Sequence, residues 1–116
     1  MKIRQIVPLL DAEILACDDD ELLNTDIYNA CGSDMMSDVL AFVKDQTALL
    51  TGLMNPQVVR TAMMMDMRCI VFVRGKHPGA DILELAQENH IVVLATPLRM
   101  YEACGRLYSN HLAERE

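Results

Sequence analysis

Four short turns hold the residues of this chain best suited to gripping a small charged ligand: Gly32-Ser33-Asp34, Thr51-Gly52, Arg74-Gly75-Lys76-His77-Pro78 and Thr96-Pro97. Glycine lets a backbone approach a ligand closely, hydroxyls donate hydrogen bonds, and an ammonium neutralises negative charge. Ser33, Thr51, Gly52, Lys76 and Thr96 are therefore the candidate ligand-lining residues. In this reading Ser33 and Thr51 act as donors, Gly52 permits close approach, and Lys76 supplies charge together with Arg74. Ordinary strand-to-helix turns use the same residue types for backbone geometry and capping, so both readings stay open.

Sharper motifs are missing. In Walker A terms, Gly75-Lys76 is followed by His77, and Ile70 stands where the first glycine belongs; GxGxxG is also absent. This argues against NTP hydrolysis and against the usual dinucleotide fingerprint. His77, His90 and His111 are isolated from any Ser or Cys partner in the sequence, so no catalytic residue is assigned. An enzyme would need His77 or Cys104 in a cleft beside a second ionisable group. Cys17, Cys31, Cys69 and Cys104 show no CxxC spacing, and Cys31 and Cys69 fall in apolar stretches as small buried hydrophobes. No metal site and no disulfide is assigned. The acidic run Asp18–Glu21 lacks the EF-hand pattern and reads as a solvated turn.

The elements that must position these turns follow from hydrophobic patterning. Thr47–Leu50, Cys69–Val73 and Ile91–Ala95 read as strands, each followed by one of the turns and then by an amphipathic segment of helical length. The last two are apolar on both faces, as strands covered by helices on both sides should be. Upstream, residues 2–10 read as a helix broken or kinked near Pro8, Ala12–Ala16 as a strand, and Asp26–Cys31 as another. Ser33 or Asp34 would cap a helix carrying Met35, Met36, Val39, Leu40 and Val43. Asn55 and Pro56 would open the next, with Val58, Val59, Ala62, Met63 and Met65 or Met67 inward. Gly79 or Asp81 opens a helix closed by Asn89-His90. The last helix carries Leu98, Tyr101, Ala103, Cys104, Leu107 and Tyr108, and the polar tail 109–116 frays. The expected architecture is α/β: one three-layer domain spanning 1–116, with an ordered core at 2–108. Its mostly parallel sheet has about five strands built from consecutive βα units, with helices on both faces. In such sheets ligands bind at the carboxyl ends of the strands.

Composition narrows the partners. The 116 residues carry ten basic and 17 acidic side chains, a net charge of −7, which repels phosphate backbones. With no Trp, two Phe and three Tyr there is little to stack bases on, so no nucleic-acid partner is expected. No apolar run approaches the roughly 20 residues of a membrane span, and the N-terminus does not read as a secretion signal. The expected location is cytoplasmic. Met63-Met64-Met65-Asp66-Met67 holds more methionine than one helix face can bury, so part of it should be exposed or covered by a partner.

From about Lys2 to Leu107 the chain resembles the DRTGG domain family. The resemblance rests on the order of an N-terminal helix, Glu13–Ala16, Ile27–Leu40 with Gly32-Ser33-Asp34, Leu50-Thr51-Gly52, Ile70–Gly75, Ile91–Pro97 and Tyr101–Tyr108. The namesake Asp-Arg stretch, looked for at 24–32, reads Asn24-Thr25 here, and a role tied to that arginine is not carried over. The resemblance implies a compact α/β domain that forms homodimers. It also implies a regulatory module of the kind fused to phosphotransacetylases and CBS-containing pyrophosphatases, similar to the N-terminal domain of HPr kinases. The catalytic parts of those proteins lie outside the module. The expectation is a non-catalytic cytoplasmic regulator sensing a small anionic or nucleotide-like ligand, such as an adenine nucleotide or another phosphate-bearing molecule, with no resident cofactor. The alternative is an interaction adaptor that docks a partner enzyme and has no ligand pocket.

Overall fold

The apolar runs form the middle of a five-stranded sheet in the computed structural model, which describes residues 1–42 and 46–112. The strands are β1 (Glu13–Ala16), β2 (Asn29–Gly32), β3 (Thr47–Thr51), β4 (Cys69–Phe72) and β5 (Val92–Ala95), in the order β1-β5-β4-β3-β2. β2 to β5 are parallel, and β1 pairs antiparallel with β5. Every residue of β3, β4 and β5 is buried. Alternation splits their side chains between two cores. Ala48, Leu50, Cys69, Val71, Val92 and Leu94 face one side, and Leu49, Ile70, Phe72 and Val93 the other.

Helices cover both faces. The crossover helices α2 (Met36–Phe42), α3 (Gln57–Met64) and α4 (Ala80–Glu88) pack through Val39, Val58, Val59, Ala62, Ile82 and Ala86 on one face. Helices α1 (Ile3–Leu9) and α5 (Met100–Ser109) pack through Ile3, Ile6, Ala103 and Leu107 on the other. The chain crosses the sheet from β2 to β5 in one direction, and right-handed crossovers then put all linking helices on one side. The terminal helices are left to cover the opposite face. Among the described residues no helix is long and apolar enough to cross a membrane.

Several boundaries and faces differ from expectation. Pro8 sits in the last turn of α1, where its missing N–H breaks the ladder just before the helix ends. The second strand forms at Asn29–Gly32, whereas Asp26 makes only an isolated bridge to Lys2. The Asn55 carboxamide accepts from the Gln57 N–H at 2.8 Å, the capping contact foreseen for α3. Met63 does not join the α3 stripe: Met63 and Met64 are exposed while Met67 is buried. Tyr101 and Tyr108 face solvent, 92% and 71% exposed, so the inward face of α5 is Ala103 and Leu107 with Met100 and Cys104 beside them. Ser109 completes α5 and Leu112 returns into the core, so the chain stays ordered beyond the expected tail start. Val43 and residues 113–116 lie outside the described residues.

Candidate functional site

Parallel register brings the four turns to one edge. Gly32 pairs with Leu50, Thr51 with Phe72, and Phe72 with Ala95, so β2 to β5 end nearly level. Backbone bonds continue the sheet into the turns: Ser33 N–H to Leu50 C=O at 3.0 Å, Val73 N–H to Thr51 C=O at 3.0 Å, and Thr96 N–H to Phe72 C=O at 2.9 Å. Arg74 and Gly75 then adopt left-handed conformations, φ 62° and 69°. Glycine takes this geometry freely, whereas arginine does so at a cost of roughly 1–3 kcal/mol. The conformation lets Arg74 N–H reach Leu98 C=O at 2.7 Å and Gly75 N–H reach Thr96 C=O at 2.9 Å, tying the third turn to the fourth.

The centre of this edge is a carboxylate. One oxygen of Asp34 accepts the Gly52 N–H at 2.7 Å and the Thr51 hydroxyl at 3.0 Å. The Gly52 bond, helped by the Thr51 hydroxyl and by the charges of Arg74 and Lys76 against partial desolvation, holds the Asp34 pKa below its usual 3.8. The Arg74 guanidinium lies over Gly52 where a side chain would otherwise project. Among the described residues, neither Arg74 nor Lys76 is engaged in an ion pair.

The expected lining residues are all on this edge, but their hydroxyls are committed. Ser33 Oγ accepts from Met35 N–H at 3.0 Å. Buried Thr51 donates to Asp34 and accepts from Leu53 N–H. Buried Thr96 donates to Leu10 C=O and accepts from Leu98 N–H. In this structure the Ser33 and Thr51 hydroxyls are engaged within the turns. Gly52 lies with Arg74 and Asp34, and the Lys76 charge acts on Asp34, whereas Thr96 lines a neighbouring cleft of about 280 Å³ with Asp11, Glu13, Gly75, His77 and Pro97.

That cleft holds the pair an enzyme would have required, His77 Nε2 and Glu13 Oε1 at 2.7 Å. Its geometry is that of a staple. Nδ1 meets the Gly75 carbonyl at 3.0 Å. Carbonyl and carboxylate can only accept, so the two contacts are made together by the imidazolium form, in which both ring nitrogens donate and no lone pair is left to take a proton. The Glu13 hydrogen bond, then the Gly75 carbonyl, raise the His77 pKa above 6.5 accordingly. The neighbouring Thr96 hydroxyl is already bonded. Cys104 is half-buried, with its thiol pKa raised by desolvation, the opposite of an activated nucleophile. Among the described residues no group of His, Cys, Asp and Glu is placed to hold a metal ion.

A larger, apolar groove of about 460 Å³ runs between α5 and Ala30 of the edge strand β2, lined by Met100, Tyr101, Cys104, Leu107 and Tyr108. Sequence patterning did not disclose it, because it depends on the tyrosines facing outward.

The fold matches a crystal structure of the CBS and DRTGG domains of the regulatory region of Clostridium perfringens pyrophosphatase, complexed with its activator diadenosine tetraphosphate. The TM-score is 0.71 at 17% identity, over 97% of this chain and 46% of that one, so the chain spans less than half of the solved structure. No curated protein matches the sequence. The model of the DRTGG domain matches residues 5–109, nearly the whole length of the chain, which therefore belongs to the DRTGG domain family.

Proposed function

We propose that this chain is a non-catalytic regulatory module of the cytoplasm that senses a small phosphate-bearing or nucleotide-like anion at the carboxyl edge of its sheet. The observation that carries this reading is the Arg74 guanidinium over Gly52, whose N–H already holds the Asp34 carboxylate, with the Lys76 charge also acting on Asp34 and neither cation in an ion pair among the described residues. Such donors and cations suit a phosphoryl oxygen equally well. Ser33 and Thr96 shape the rim while Gly52, Thr51, Arg74 and Lys76 meet the ligand. The diadenosine tetraphosphate of the pyrophosphatase region supports a ligand of this class, and four free thiols suit a reducing compartment. Thermal-shift titration with adenine nucleotides, dinucleoside polyphosphates, acetyl phosphate and simple anions tests it. A dose-dependent rise in melting temperature, lost in Lys76→Ala, is expected. No shift with any of them would remove the reading.

A second reading, docking of a partner enzyme or of a second copy of the chain, is favoured by one observation. Exposed Tyr101 and Tyr108 flank an apolar groove beside the outer edge of β2, which is unpaired among the described residues. Tyrosines and uncovered strand edges are favoured at interfaces. Sedimentation of the purified chain should show a dimer that Tyr101→Ser with Tyr108→Ser returns to monomer. A wild-type monomer at all concentrations would count against self-association.

A further inference from the structure

The anion donors at the sheet edge are already filled from within the chain. Asp34 stands at the β2–α2 turn, and its carboxylate occupies the Gly52 N–H at 2.7 Å and the Thr51 hydroxyl at 3.0 Å. Four further backbone N–H groups of the edge are also taken: Ser33 by Leu50, Arg74 by Leu98, Gly75 by Thr96, and Leu53 by the Thr51 hydroxyl. An incoming anion is drawn by two cations, Arg74 over Gly52 and Lys76, whose charges also act on Asp34. An anion drawn to these cations meets a resident negative charge at the same point. Two anions a few ångströms apart repel, and one site cannot serve both fully.

Resting on the anion-sensing role set out above, we propose that Asp34 is a built-in competitor for the phosphoryl subsite formed by Gly52, Thr51, Arg74 and Lys76. A phosphoryl group binds by taking the Gly52 N–H and the Thr51 hydroxyl from Asp34, and it thereby releases the turn that leads into α2. Binding is thus coupled to a movement of the chain instead of filling a rigid pocket. A ligand shifts such an equilibrium only by its differential affinity for the released state, so the bond to Asp34 sets the threshold concentration. Asp34 lies just ahead of α2, a helix of seven residues in which Val39 is buried. That short helix is the element on which such a release acts.

The test is calorimetric titration of the intact chain with inorganic pyrophosphate, comparing wild type with Asp34→Ala. Removing a charge-assisted acceptor that holds the site should tighten pyrophosphate binding roughly tenfold. Adding Arg74→Gln to Asp34→Ala should abolish that gain. In amide spectra of the wild type, pyrophosphate should shift Gly52, Met35 and Met36 together. Equal or weaker binding by Asp34→Ala would overturn the competitor role and leave the sensing role standing. Absence of binding to both proteins would overturn both. Should the alanine variant melt early, Asp34→Asn keeps the shape and drops the charge, and unchanged affinity there is equally decisive against the competitor.

Discussion

The Arg74 guanidinium rests on the bare backbone of Gly52. A Cβ built at residue 52 would lie 3.0 Å from Arg74 Cζ and nearer still to Nη2. Glycine is required here by close approach and not by backbone angles, since Gly52 does not adopt a left-handed φ. Gly52→Ala should consequently fold normally. The obstructing atoms are the mobile end of a long side chain, and stability should change by no more than about 0.5 kcal/mol. The guanidinium must swing away, however, and pyrophosphate affinity should fall several-fold. Melting curves and titration on the same preparation check both halves. A variant with full affinity would show that Arg74 is not a ligand contact.

Acid should act on the same edge through Asp34. Its folded-state pKa lies below the ordinary value because the ionised form holds the Gly52 N–H and the Thr51 hydroxyl. A group with a depressed folded pKa contributes stability that is complete above its unfolded value, roughly 3.9, and is lost as pH falls through the lower folded value. Wild type should lose stability more steeply than Asp34→Asn below about pH 4 and track it in parallel near neutrality. Denaturant midpoints across pH 2.5 to 6, as a rough range spanning that window, give the comparison. Parallel curves throughout would show that the Asp34 bonds are not maintained in solution.

The sheet was readable in the sequence and much of its edge was not. β4 and β5 declare themselves because both faces are buried, so apolar residues run without interruption. β1 is harder to place, since Glu13-Ile14-Leu15-Ala16 on the sheet margin carries no mark of its antiparallel pairing with β5. α5 offers two apolar stripes, one through Met100, Ala103, Cys104 and Leu107, another through Tyr101, Cys104 and Tyr108. Only packing against the sheet chooses the first. Of the site, Thr51-Gly52 and Lys76 stand out as turn residues, but Asp34 reads equally well as a helix cap. Its bond to Gly52 joins residues 18 apart and arises from the β2–β3 pairing, which no local pattern reports.

Thr61 gives a stability test remote from the edge. It lies fully buried in α3, and among the described residues its hydroxyl has no hydrogen-bond partner. A buried unsatisfied polar group costs about 1–3 kcal/mol, and valine has nearly the same shape without the hydroxyl. Thr61→Val should therefore stabilise the chain by about 1 kcal/mol, with an unchanged denaturant slope. A neutral or destabilising result would mean that the hydroxyl finds a partner in solution.

His77 and Glu13 should respond to pH in the sense opposite to Asp34. They join the start of β1 to the turn after β4, side chains whose sequence positions are 64 apart. Both ring nitrogens donate, to Glu13 and to the Gly75 carbonyl, so the contact belongs to the imidazolium form. The folded pKa is raised above 6.5, chiefly by the Glu13 bond. The staple's contribution is therefore complete below the unfolded pKa and is lost as pH rises through the higher folded value. A proton-NMR titration should find His77 charging above 6.5, and Glu13→Gln should bring it down toward that value. The double change Glu13→Gln with His77→Gln should remove the pH dependence of the β1 edge, seen as faster amide exchange at Ile14 and Leu15 that no longer varies with imidazole charge after correction for intrinsic exchange. A His77 titration unmoved by loss of Glu13 would show that the two side chains do not meet in solution.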